Sequence, residues 1–90
     1  MHALENVERA IEFLRGTNPE VAVNAAAAIR SAIESLAIHP LVGRRVEGDL
    51  RELVVSYGDT GYIALYRFVV LNDEVRVLAL RHQRELGYLP

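Results

Sequence analysis

The sequence predicts an α+β domain, a two-helix antiparallel hairpin packed on an antiparallel β-meander. Three observations carry this. Residues 50–81 hold three apolar runs rich in Val, Leu, Ile, Phe and Tyr. Turn chemistry separates them: Gly58-Asp59-Thr60-Gly61 first, then Asn72-Asp73. Upstream, apolar residues recur at three- and four-residue spacing, the period of a helix with one buried face. No linker, repeat or low-complexity tract interrupts the chain, so residues 1–90 read as a single domain.

The first helix is expected over Ala3–Arg15. Leu4, Val7, Ile11 and Leu14 form its apolar stripe, and Glu5, Glu8, Arg9 and Glu12 lie on the other side. Gly16 is placed to end it, because glycine takes a left-handed conformation at little cost. Asn18-Pro19-Glu20 then reads as the start of a second helix, with Asn18 as N-cap and Pro19 in the first turn. Ala22, Ala25, Ile29, Ile33 and Leu36 would line its buried face, and the small alanines allow close helix approach. His39-Pro40 stops this helix, since the residue before proline avoids the α region. Residues 41–49 read as a loop. Strands follow at 50–57, 62–71 and 74–81. In the middle strand Ile63, Leu65 and Val69 share one face, and Tyr62, Tyr66 and Phe68 fall on the other. A strand apolar on both faces needs both covered. The aromatic side is therefore expected to meet a partner, with Arg81 beside it, or else to pair its aromatics across strands on a partly exposed face.

Composition narrows the chemistry. There is no cysteine, which excludes disulfides, thiol catalysis and Cys-ligated zinc. Three scattered histidines have no metal-ligand spacing, and no cofactor is expected. Early acids (Glu5, Glu8, Glu12) disfavour a targeting peptide, and no apolar run approaches the ~20 residues of a membrane span. A cytoplasmic location without membrane contact is the simplest expectation. The net charge of −2 argues against general nucleic-acid binding. All ten basic residues are arginine. A GC-rich coding bias accounts for that, although arginine also suits bidentate contacts to carboxylate or phosphate.

Five segments carry a resemblance in their order and spacing: NPEVA, SLAIHPLVGRRVE, LRELVV, GDTGYIALYRF and VLALRHQRELGY. Together they span nearly the whole chain, which resembles the RelE/ParE superfamily, the toxins of type II toxin–antitoxin modules often described as plasmid stabilisation proteins. The resemblance implies a cytoplasmic toxin neutralised by a cognate antitoxin. Two departures stand out. Family members usually begin with a short strand; here helical periodicity starts almost at Met1, so that strand is expected to be missing and one sheet edge exposed. Family ribonucleases rely on lysines and on an arginine just before the tyrosine of the third strand. This chain has no lysine, and Ile63 precedes Ala64-Leu65-Tyr66.

The resemblance makes His82, Arg84, Tyr88 and Arg51 the catalytic candidates. Cleavage of RNA by its own 2′-OH needs a general base, a general acid and a cation on the phosphate. His82 would serve as acid or base, Arg84 and Arg81 would hold phosphate, and Tyr88 would donate a proton or stack on a base. Arg51 is expected to reach the same side. The plainer reading makes the arginines solvated strand ends paired with Glu85 and Glu52. The candidate partner-binding residues are Tyr62, Tyr66, Phe68 and Arg81, and the partners an antitoxin or a second copy. The missing lysines and acidic balance favour a toxin that binds a protein target such as DNA gyrase. A ribosome-dependent mRNA endonuclease is one alternative. A degenerate, non-catalytic domain that self-associates or binds antitoxin is the other.

Overall fold

The computed structural model describes residues 1–17, 19 and 23–84. Two helices, α1 (Val7–Thr17) and α2 (Val23–Glu34), cover one face of a five-stranded sheet. The strands are β1 (Ala3–Glu5), β2 (Arg44–Glu47), β3 (Leu50–Tyr57), β4 (Thr60–Val69) and β5 (Glu74–His82), in the order β1-β5-β4-β3-β2. The α+β class, the helical hairpin and the three-strand meander match the sequence reading.

The N-terminal expectation is corrected. The first strand is present: Ala3–Glu5 pairs in parallel with Glu74–Arg76. Leu4 therefore belongs to β1, although it keeps phase with the α1 stripe and packs against the same core. Helical periodicity misread a three-residue strand that buries one side chain. Asn6 makes the turn into α1 with φ 69°. Its Nδ2 donates to Val77 O at 2.8 Å, and Ala10 N–H donates to Asn6 O, closing the first helical turn. His2 is bonded through Nδ1 to Asp73 and lies edge-on to Phe68. Helix α1 runs through Gly16 to Thr17, so Gly16 does not end it. The expected Asn18 cap, Glu20 and Ala22 lie outside the described residues. Helix α2 ends at Glu34 and passes into a single 3-10 turn, Ser35–Ala37, before His39-Pro40.

The loop expected at 41–49 contains edge strand β2, antiparallel to β3. Its pattern gave no signal because all four residues are exposed. The β3–β4 hairpin closes on two residues, Gly58-Asp59, with Tyr57 opposite Thr60 and Gly58 at φ 60°. Another 3-10 turn, Val70–Asn72, leads through left-handed Asp73 into β5.

The largest correction concerns the sheet faces. Tyr62, Ala64 and Tyr66 point at the helices and are buried with Ile11, Leu14, Ile29, Ile33, Val55, Val75 and Val77. Phe68 is half-buried against the same cluster. The aromatic face expected to be open for a partner is therefore the core face. Ile63, Leu65 and Val69 point the other way. A bulge decides the phase of β5: Leu65 faces Ala79 and Tyr66 faces Val77, leaving Leu78 as the extra residue. Val75 and Val77 point inward before it, and Leu80 and His82 after it, so Ala79 does not share the face of Val77.

Tyr66 is fully buried, and its hydroxyl is used twice. It accepts from Gly43 N–H at 2.8 Å and donates to Pro40 O at 2.8 Å. A Cβ on Gly43 would lie 2.6 Å from both Tyr66 Cε1 and Oη, and 2.9 Å from Glu52 O. Only glycine permits this approach.

Two outcomes follow for stability. Tyr66→Phe leaves Gly43 N–H and Pro40 C=O without their partner and should cost about 1–3 kcal/mol. Gly43→Ala should cost a similar ~1–3 kcal/mol through overpacking. Thermal melts should fall by roughly 4–8 °C per kcal/mol in a domain of this size. Burial pushes the Tyr66 phenol above its ordinary value, opposed by the Gly43 hydrogen bond and the Arg51 charge. The native state thus holds this proton more tightly than the unfolded chain. That contribution is complete below the unfolded value of about 10 and is lost as pH rises beyond it. Urea midpoints at pH 7 and above pH 10 should show a smaller alkaline loss in Tyr66→Phe than in the parent.

Candidate functional site

The predicted site residues separate into three places. The first is the strand end where β4 begins and β5 finishes. The bulge at Leu78 turns His82 toward the helix side, opposite Tyr62, and the two rings meet edge-on at 5.2 Å. Thr60, first residue of β4, bonds through Oγ1 to His82 Nε2. Arg84 N–H donates to His82 Nδ1 at 3.1 Å. Because Nδ1 accepts, the ring proton sits on Nε2 and is donated to Thr60. Both imidazole nitrogens are thus engaged within the fold.

Arg84 is beside His82 as expected, though the contact runs through its backbone. Arg81 alternates to the opposite face, across from Ile63, and its Nη1 lies 3.5 Å from the carbonyls of His82 and Gln83. Gln83 N–H donates to Gly61 O at 2.9 Å, and its side chain covers Gly61 in the space a Cβ would take. Tyr88 and Glu85 lie outside the described residues.

The second place is the far end of the sheet. Arg51 is opposite Tyr66, and His82 is opposite Tyr62. Four residues of β4 separate these positions, about 13 Å at strand rise. Arg51 Nη1 donates to Leu41 O at 3.0 Å and Gly43 O at 2.8 Å. It holds the 40–43 loop on the helix-side face that His82 shares, but at the other end of the sheet, so the two do not meet.

The third place is the sheet face turned away from the helices. Ile63 and Leu65 lie along its middle, with Val54 and Ala79 beside them. Arginines flank them: Arg81 lies against the carbonyls of His82 and Gln83, and three others each have an acidic neighbour. Arg44 Nη2 reaches Glu52 at 3.0 Å, Arg67 Nε is 3.3 Å from Asp49, and Arg76 Nη2 reaches Glu74 at 2.7 Å. Among the described residues Glu74 is the one acid that is almost fully buried.

The Thr60 contact was missed from sequence. Gly58-Asp59 as a two-residue turn would have started β4 at Thr60, but no sequence pattern places the β5 bulge that brings His82 to it. Among the described residues no three His, Asp or Glu side chains converge as metal ligands, and no helix is long and apolar enough to cross a membrane.

One apolar groove lies away from these places, between α1 and the bulged part of β5. It encloses about 150 Å³ and is lined by Arg9, Ala10, Phe13, Leu78 and Leu80. Phe13 and Leu78 are both substantially exposed there. β1 covers β5 only over Glu74–Arg76, so among the described residues no strand continues that edge along 78–82.

Comparison with known proteins agrees with this architecture. Residues 2–87 match the model of a family described as ParE toxin of the type II toxin–antitoxin system. The chain is 40% identical over 73 residues to a protein named Toxin RelE3 from Caulobacter vibrioides, covering 81% of this chain and 77% of that protein. A strand–helix–helix–four-strand chain matched by that model along nearly its whole length belongs to the ParE toxin family of type II toxin–antitoxin systems.

Proposed function

We propose that this toxin is neutralised by a cognate antitoxin and acts by binding a protein target such as DNA gyrase, without cutting RNA. The observation that carries this reading is the paired state of three arginines, Arg44, Arg67 and Arg76, on the outer sheet face. Arg44, Arg67 and Arg76 each face a carboxylate within 3.3 Å. Entry into a ribosomal site requires cations available to phosphate. The His82 ring supports the same reading, since Arg84 N–H and Thr60 Oγ1 take both nitrogens. Arg51, the cation expected beside it, is bound to carbonyls at the other end of the sheet.

For the antitoxin, the open edge of β5 and the Phe13–Leu78 groove offer complementary features. An extended segment adding to that edge would satisfy its backbone groups and place one apolar side chain in the groove. Leu78→Glu should weaken antitoxin binding by at least about tenfold, roughly 1.4 kcal/mol, in a titration of the purified pair.

The two modes of action separate in assays run side by side. The purified chain should inhibit supercoiling by gyrase and leave mRNA intact in a reconstituted translation reaction. His82→Gln should keep growth arrest within a few-fold, whereas loss of a general acid or base costs about 10²–10⁴-fold. Ribosome-dependent mRNA cleavage that disappears in His82→Gln would overturn the proposal.

A further inference from the structure

We infer that the open edge of β5 takes an extended acidic–apolar segment, in which one apolar side chain fills the Phe13–Leu78 groove and a carboxylate two residues away pairs with Arg9. This rests on the reading of that groove as the antitoxin site and names the chemistry the antitoxin must bring. The edge itself selects a strand. Gln83 N–H donates to Gly61 O, and His82 and Leu80 stand opposite Tyr62 and Ala64. Antiparallel bonding alternates along a strand, so the N–H and C=O of Leu80 and His82 point away from β4. On that side β1 reaches only Arg76, and the Asn6 amide takes Val77 O where β1 stops. Among the described residues no backbone group pairs with Leu80 there. A helix laid in the groove would leave those groups without backbone partners, whereas an added strand satisfies them.

The groove supplies the side-chain contacts. Arg9 and Phe13 both line it from α1. They are about one helical turn apart, roughly 6 Å along the helix axis. Alternate residues of a strand share a face and lie about 6.7 Å apart. The two spacings are close, so successive helix-side residues of an added segment can meet Phe13 and Arg9. Phe13 and Leu78 form the apolar part, and both are exposed. Arg9 is exposed too and, among the described residues, makes no hydrogen bond or ion pair. Its helix neighbours Glu8 and Glu12 are taken by Arg30 and Arg15. Among the described residues no carboxylate lines the groove. A cation left uncompensated beside an apolar hollow matches an acidic partner and opposes a basic one.

Titration and amide exchange of the purified toxin–antitoxin pair test this. Leu80 N–H should exchange fast in the free chain and slowly in the complex. Arg9→Glu should weaken binding by at least about tenfold, and Arg9→Gln, which adds no negative charge to α1, by roughly threefold. Arg45→Glu, on the opposite edge strand, should leave affinity unchanged. Changing one antitoxin Asp or Glu to Arg should restore binding to Arg9→Glu. That acid should lie two residues from an apolar residue whose truncation to Ala weakens the parent complex. Leu80 already slow in the free chain, or still fast in the complex, would overturn the added strand. An equal loss in Arg45→Glu would reduce the Arg9 effect to net charge and overturn the pairing. If Leu78→Glu binds as tightly as the parent, the groove is not the antitoxin site and the underlying reading fails with the inference. If Leu78→Glu weakens the complex while neither Arg9 variant does, that reading stands and the inference alone is overturned.

Discussion

Tyr66 is the point on which the two faces of the sheet depend. Its ring is buried in the core and its hydroxyl joins Pro40 C=O to Gly43 N–H. A phenol is buried at little cost only when its O–H finds a partner. Here the loop after α2 supplies both a donor and an acceptor. That fixes which face of β4 turns inward, because a strand with period two cannot turn Tyr66 in without turning Tyr62 and Ala64 in as well. Ile63, Leu65 and Arg67 then have no choice but the outer face. Arg51 reinforces the same loop through the carbonyls of Leu41 and Gly43.

The chemistry of the molecule follows from that choice. Turning the aromatics inward leaves an outer face of aliphatic side chains and arginines, three of which are paired with Glu52, Asp49 and Glu74. The bulge at Leu78 does for β5 what Tyr66 does for β4. It inverts the alternation, brings Leu80 and His82 under the helices and leaves Arg81 outside. His82 thereby becomes a strand-end anchor tied to Thr60 and Tyr62, separated from Arg81 by the sheet.

Much of the fold was legible in the sequence because long periodic segments overdetermine their own structure. The α1 stripe Ile11 and Leu14, the α2 residues Ala25, Ile29 and Ile33, and the limits of β3 were all readable from spacing. What failed has a physical cause in each case. Three residues of β1 are too few to show a period, and Leu4 fits the stripe of the helix that follows. The exposed β2 has no apolar side to display. The face assignment of β4 failed because both of its sides are apolar, so composition cannot tell core from surface. What decides it is a pair of hydrogen bonds to a loop more than 20 residues upstream. Among the candidate residues, His82 and Arg84 are two apart in sequence and meet through the Arg84 backbone, whereas the separation of Arg51 required the β3–β4 register.

The most direct measurement is amide hydrogen exchange at Gly43 in the purified chain. If Tyr66 holds the loop as described, Gly43 N–H exchanges as slowly as the central amides of β4, although it lies in a loop flanked by exposed Leu41, Val42 and Arg44. In Tyr66→Phe its protection should fall to that of those neighbours while β4 amides near Ala64 remain slow. Rapid exchange of Gly43 in the parent chain would contradict the account, because the inward face of β4 would then lack the interaction that selects it.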